Sequence, residues 1–353
     1  MIEIRAEGLA FDDVQLIPRY SDIPSRNTAY VDLSTNITPN IKLQLPIVTA
    51  NMDTVTNARV ATIAHVCGAL GIVHRFLEPE AQAEELFQLP STSPHVICLG
   101  VGHGAVARLS KVIDELKSMA SWLEIEISVL IDIAHGDSKM MVDTIKKIKE
   151  TYPSMEIIAG NVATADGAMR LVEAGACCIK AGVGNGALCS TRINTGNGYP
   201  QLSAISDIAD TLDTLSEKIY LIADGGIRNG GDITKALAVG ADAVMVGSLI
   251  AGAPETPGSI FKDKNGQLYK SFRGMASKQA QLSWKGSVVS VEGEAINTPL
   301  KMPVESILSD LKGNLLSAMT YQGARNLNEL RINARFIKVT NAGAIEAQPH
   351  GVK

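Results

Sequence analysis

The sequence predicts an α/β protein, a (β/α)8 TIM barrel occupying residues 1–353 as one catalytic domain, with a flap at about 253–303. Three observations carry this. Eight short apolar or β-branched runs recur along the chain, amphipathic stretches lie between them, and Asp, Asn, His and Gly gather just after the runs. Continuous apolar strands alternating with helices mean a parallel sheet covered on both faces, and eight such units are the number that closes a barrel.

The runs are justified in chain order. Leu45–Ala50 leads into Asn51, Met52 and Asp53, and Ala69–Val73 leads into His74 and Arg75. Val96–Val101 is followed by Gly102 and His103, then by the amphipathic stretch Ala105–Met119. Ile127–Ile133 carries Asp132 at its end and precedes Ala134, His135 and the helical pattern Lys139–Glu150. Glu156–Gly160 ends at Asn161 and feeds Asp166–Ala174, and Cys177–Ala181 runs into a glycine-rich loop. Ile219–Ala223 ends at Asp224-Gly225-Gly226 before Asp232–Val239, and Ala243–Val246 ends at Gly247-Ser248. An open doubly wound sheet is the rival arrangement. The absence of Gly-x-Gly-x-x-Gly after the first run counts against its dinucleotide-binding form. After the eighth run the alternation stops. Asn265-Gly266 predicts a hairpin across Asp263–Gln267, and the remainder, with Gly274, Gly286 and Gly293, reads as loop suited to a lid.

Bulk properties narrow the class. The chain has 353 residues, 46% of them hydrophobic, enough for a large buried core. A formal charge of -5 and 4% aromatic residues give neither the electrostatic footprint nor the stacking platform of a nucleic-acid binder. Five cysteines without metal-type spacing read as reduced thiols. Such thiols lead to the expectation of a cytoplasmic protein, and the charged start Met1-Ile2-Glu3-Ile4-Arg5 lacks a secretory apolar segment. Ala236–Ala253, the most apolar stretch, is broken by Asp242 and glycines and reads as a helix end and a buried strand, not a membrane span.

The candidate chemistry sits after the runs. Gly182-Val183-Gly184-Asn185-Gly186-Ala187-Leu188-Cys189-Ser190-Thr191-Arg192 puts a thiol in a glycine-built loop beside two hydroxyls and an arginine. This suits a nucleophile, although a turn that happens to hold a cysteine fits the same residues. Glycines at Asp224-Gly225-Gly226 and Gly247-Ser248 allow backbone N–H groups to approach phosphate, and Asp224 suits a ribose cis-diol; together they suggest a nucleotide. Asp132 and Asn161 suit a second ligand, such as a nicotinamide ribose and carboxamide, or else they cap the following helices. His74, His103 and His135 lack metal-site spacing. Met275 opens the flap. Glu292 alone reads as a surface glutamate, yet a carboxyl beside a threonine hydroxyl can pass a proton when a lid closes.

Together these motifs resemble the IMP dehydrogenase/GMP reductase family. The resemblance rests on Phe11–Pro18, on Pro46-Ile47-Val48-Thr49-Ala50-Asn51-Met52-Asp53-Thr54-Val55, on the Cys189 loop, on Asp224-Gly225-Gly226-Ile227, on Gly274-Met275 and on Thr320-Tyr321-Gln322-Gly323-Ala324, in the expected order. It implies a homotetrameric barrel that binds a purine nucleotide, GMP or IMP, and a nicotinamide cofactor. It also implies a monovalent cation, potassium (K+), held by the carbonyls of Gly184, Gly186 and Cys189. Three features point to the reductase branch: the segment Thr195-Gly196-Asn197-Gly198-Tyr199-Pro200-Gln201 with Asn51 in the first loop, a flap without the Arg-Tyr pair whose arginine activates water in the dehydrogenase, and no room near Phe87–His95 for a CBS domain pair. The expectation is therefore reduction of GMP by NADPH to IMP and ammonia, through a covalent cysteine adduct at purine C2. The alternatives are an IMP dehydrogenase lacking CBS domains, taking IMP and NAD to XMP, and a catalytically silent nucleotide-binding barrel.

The same resemblance assigns roles. Cys189 is the nucleophile, and Thr191 and Glu292 are the proton-relay pair. Asp224 binds ribose, with Gly225, Gly226, Gly247 and Ser248 around phosphate. Met275 and Ser277 touch the base, and Asp132 and Asn161 face the nicotinamide. Arg192 is a candidate for aiding the thiolate. The chain departs from the family pattern at Ala187, where a phosphate-binding serine is usual, and at Ser190, Ala276 and Ile133-Ala134-His135-Gly136.

Overall fold

The computed structural model describes residues 7–119 and 126–349; the charged Met1–Arg5 start lies outside them. Eight parallel strands form one sheet: β1 (Ile47–Thr49), β2 (Leu70–Gly71), β3 (His95–Leu99), β4 (Ile127–Asp132), β5 (Glu156–Val162), β6 (Cys178–Ala181), β7 (Tyr220–Asp224) and β8 (Ala243–Val246). Their order is β2-β1-β8-β7-β6-β5-β4-β3, the cyclic order of a (β/α)8 barrel. Each predicted run yields its strand with ends that agree within two residues; β5 runs two residues further, to Val162. Burial on both faces explains why the runs are continuously apolar: Val129, Leu130 and Ile131 of β4 and Ile157, Ile158 and Ala159 of β5 are all fully buried. Each such Val, Leu or Ile side chain contributes roughly 1.5–3 kcal/mol of burial.

The hydrogen-bonded ladder has β2 and β3 as its two ends, and side chains stitch this seam. Arg108 donates to the carbonyls of Arg75 and Leu77 and to Gln82 Oε1, and Gln82 Nε2 donates to the Cys98 carbonyl on β3 at 2.9 Å. Side-chain donors thus replace the backbone pairs that β2 is too short to offer. The outer helices start on short polar caps, Asn57, Ser138, Thr164 and Asn229, each accepting from a backbone N–H of its own first turn. Among the described residues no helix is long and apolar enough to cross a membrane.

The flap holds more regular structure than expected. The predicted turn at Asp263–Gln267 does join two antiparallel strands, Phe261–Lys262 and Leu268–Arg273. The rest is not loop: Ala295–Pro299 adds a third strand, and Lys278–Lys285 is a helix. Both escaped sequence reading for physical reasons. The third strand pairs with a partner more than twenty residues away and exposes most of one face, so it lacks a continuous apolar signature. The helix is mostly exposed and is held by Gln281, which donates to the Ala276 and Ser290 carbonyls and accepts from the Val289 N–H. Lys270, fully buried, donates its ammonium to the carbonyls of Pro254 and Thr256 and anchors the flap base.

Replacing Arg108 by Met removes three hydrogen bonds from the seam. The expected loss is about 2 kcal/mol of unfolding free energy, measured by denaturant titration. Hydrogen exchange should also speed up at residues 75–77 more than elsewhere in the barrel.

Candidate active site

A cavity of about 810 Å³ opens at the carboxyl ends of the strands. Cys189, Thr191, Glu292, Asp224, Gly225, Gly226, Gly247, Ser248, Met275, Asp132, Asn161, Gly184 and Gly186 all line it, whereas Asp53, His74, Gly102, His103 and His135, which also follow the runs, do not. Ala187 lines it too, in the place of the usual serine.

The thiol loop leaves β6 at Gly182. Here φ is +144°, and a Cβ would lie 1.9 Å from the Asp224 carbonyl, so only glycine lets the loop pass the end of β7. Downstream, the Cys189 N–H closes a turn on the Gly186 carbonyl at 3.0 Å. The flap's return segment then pairs with the loop: Ser190 N–H donates to the Glu292 carbonyl and Glu294 N–H to the Leu188 carbonyl. This pairing brings Glu292 to the thiol. The Cys189 sulfur lies 3.1 Å from Thr191 Oγ1, and the Thr191 hydroxyl donates to Glu292 Oε2 at 2.8 Å. Thiol, hydroxyl and carboxylate form one chain able to move a proton. The remaining cysteines sit elsewhere in the core or on the outer surface, and burial pushes the Cys98 and Cys177 thiols up to about 12 and about 11.

Asp132, Asn161 and Asp224 meet around a residue that sequence reading missed. Lys180 on β6 sits 2.7 Å from Asp132 Oδ1 and 2.5 Å from Asp224 Oδ2. Asn51 Nδ2 donates to Asp132 Oδ2 at 3.0 Å, and Asn161 Nδ2 donates to Asp224 Oδ2 at 2.9 Å. The alternative in which Asp132 and Asn161 cap helices does not hold, since Ser138 and Thr164 fill those positions. Burial would raise the Asp132 carboxyl, but the ammonium of Lys180, the guanidinium of Arg75 and the Asn51 amide outweigh it and hold it below the usual carboxylate range. A lysine inside an otherwise apolar strand was the available signal, because a buried ammonium requires carboxylate partners. Arg75, expected after the second run, lines the cavity 4.4 Å above Phe76; Phe76 and Trp284, whose rings are 5.0 Å apart, line it without having been anticipated.

Two expectations are corrected by the geometry. Ser277 is fully buried and does not line the cavity; its hydroxyl accepts from Ala280 N–H and caps the flap helix, which leaves its side chain off the cavity wall where a base contact was expected. Arg192 turns its guanidinium to Asn185 Oδ1 and the Tyr199 carbonyl, which commits it to bracing the loop backbone and not to the sulfur.

The fold and cavity define a barrel whose strand-end site is built around a partly exposed thiol. The chain belongs to the IMP dehydrogenase/GMP reductase family, whose "IMP dehydrogenase / GMP reductase domain" it matches over residues 8–350. It is therefore one of the nicotinamide-dependent oxidoreductases that act on a purine nucleotide. It is 33% identical to an inosine-5'-monophosphate dehydrogenase of Nitrosopumilus maritimus, with 98% of each chain covered. It is 34% identical to that of Borreliella burgdorferi, covering 99% of this chain and 98% of the relative. It is 32% identical to that of Aquifex aeolicus, covering 100% and 98%. The alignment to the first runs over 474 residues, longer than this chain of 353, so that relative carries segments absent here.

These relatives overturn the expected reductase branch, and with it GMP reduction by NADPH: an archaeal and several bacterial relatives bear the dehydrogenase name. The structure explains why the branch markers misled. No residue of Thr195–Gln201 lines the cavity; Gln201 instead donates to the Ala181 and Asp224 carbonyls and supports the strand ends. Asn51 serves as a donor to Asp132. The short link over residues 88–94 reports only that a domain pair is absent, which says nothing about chemistry at C2.

His74 beside the cavity gives a test of this electrostatic setting. It is 7% exposed, its Nδ1 accepts from Phe76 N–H, and burial pushes its pKa from 6.5 down to about 4. The unfolded chain thus binds a proton that the folded protein refuses between those values. Stability should fall as pH drops from 6.5 to 4, by roughly 3 kcal/mol in total. The His74→Gln variant should lose this part of the pH dependence in denaturant titrations.

Proposed function

We propose that the protein is an IMP dehydrogenase, oxidising IMP at purine C2 with NAD and water to give XMP, NADH and a proton. The observation that supports this best is the Cys189–Thr191–Glu292 chain opening onto a cavity ringed by Asp224, Gly225, Gly226, Gly247 and Ser248. In this reading the glycine turns take phosphate, Asp224 takes the ribose diol and Met275 lies against the base. Bound NAD supplies an acceptor for the C2 hydride. The residues present fit its nicotinamide end: Asn161 Oδ1 is buried with no hydrogen-bond partner among the described residues, an open acceptor for a carboxamide N–H, and Asp132 stands beside it.

The chain's own residues divide the work as follows. The Cys189 thiol adds across the purine C2–N3 double bond, its sulfur to C2 and its proton to N3, and that proton is released as the hydride leaves. Once the hydride has left, C2 stays bonded to sulfur as a thioimidate. Water then attacks C2 and the Cys189 thiolate departs, which releases XMP. The flap has no Arg-Tyr pair to activate that water, and Thr191 with Glu292 can replace it. The Thr191 hydroxyl, 3.1 Å from the sulfur, takes the water proton while passing its own to Glu292, 2.8 Å away. The carbonyls of Gly184, Gly186 and Cys189 are neutral oxygens of the kind that hold K+. A cation there would order the loop that carries the thiol.

The direct test mixes the protein with IMP and NAD and follows the absorbance of the reduced cofactor together with XMP by chromatography. Formation of both in equal amounts is expected; no reduced cofactor would refute the reading. Cys189→Ala should abolish turnover. Glu292→Gln should slow steady turnover by about 10²–10⁴-fold, yet still give a rapid burst of NADH, about one per active site, because hydride leaves before water attacks. Exchanging K+ for a bulky organic cation should lower kcat while the protein stays folded by circular dichroism.

A further inference from the structure

The centre of the cavity floor holds one cation between two acids. The Lys180 side chain is 3% exposed, and its ammonium is 2.7 Å from Asp132 at the end of β4 and 2.5 Å from Asp224 at the end of β7. Burial would depress that ammonium, but the two carboxylates outweigh it and raise its pKa instead. Each acid has a second donor of its own, Asn51 on Asp132 and Asn161 on Asp224. Asp224 Oδ1 accepts from no described residue and remains open to a ligand. The two carboxylates therefore compete for one ammonium, and neither can reorient without changing how strongly the other is held.

We propose that Lys180 is a positioning residue that couples the two halves of the cavity, fixing with one ammonium both the carboxylate that faces the nucleotide ribose and the one that faces the nicotinamide. The assignment of these two faces rests on the dehydrogenase reading above. The shared cation itself rests on the geometry alone. Removing the Asp132 charge frees Lys180 to engage Asp224 fully and so withdraws acceptor strength from the ribose diol.

The test is a coupling cycle read by calorimetric binding of IMP, in Cys189→Ala protein so that nothing turns over. Asp132→Asn should weaken IMP binding about fivefold or more, although Asp132 faces the other ligand. The same replacement in a Lys180→Met background should leave IMP affinity unchanged. An unchanged affinity in the Lys180 protein, or an equal loss in both backgrounds, would overturn the proposal. Where Lys180→Met does not fold, the carbon-13 carboxyl signal of Asp224 decides instead. A shift caused by Asp132→Asn supports the coupling, and an unmoved signal overturns it. That signal needs no ligand. If the Cys189→Ala protein binds no IMP, the dehydrogenase reading fails, while Lys180 is still judged by the Asp224 signal.

Discussion

The site depends on a short stretch of backbone pairing between two segments a hundred residues apart. Ser190 donates to Glu292 and Glu294 donates to Leu188, each within 3.0 Å, and the Gly274 N–H donates in turn to the Glu294 carbonyl. These bonds join the thiol loop, the start of the flap and its return into one unit. Each is worth only about 1 kcal/mol net, yet without them the Glu292 carboxylate has no reason to lie on Thr191. Gly293 stands at the crossing, where a Cβ would come within 3.1 Å of Ser277 N. The flap thus contributes its glutamate by β-type pairing, and its helix, capped by Ser277, is support for that crossing.

Beneath this crossing lies a second constraint, the buried charge set Asp132–Lys180–Asp224. A buried ammonium shared by two partly exposed acids is tolerable only with good geometry and further donors, which Asn51 and Asn161 provide. The arrangement links β1, β4, β5, β6 and β7 at their carboxyl ends. It fixes where acceptors point before any ligand arrives. Preorganised polar groups in a partly dry cavity are what make such a site effective.

The barrel was readable because parallel strands buried on both faces have no polar alternation to confuse with other patterns. The cavity residues were readable for a related reason, since Asp132, Asn161, Asp224 and Gly247 each follow directly on an apolar run. What hid was whatever depends on contacts distant in sequence. The strand Ala295–Pro299 exists through its pairing with Leu268–Arg273, and Ser277, expected at the base from the family resemblance, is a cap of a helix that its exposed sequence did not announce. Lys180 was absorbed into an apolar run. The branch of the family was misread because no residue of Thr195–Gln201 lines the cavity, Gln201 bracing strand ends instead, and because Asn51 is engaged in holding Asp132, so their identity carries little information about the reaction.

The central claim is that the Cys189 sulfur bonds to purine C2 and stays bonded there after hydride has left. It is tested most directly by quenching the enzyme during turnover of IMP with NAD and weighing its proteolytic peptides. The peptide containing Cys189 should carry the mass of IMP less one proton and one hydride. An enzyme that turns over with that peptide unmodified at every quench time, or with the adduct on another cysteine, would contradict the account.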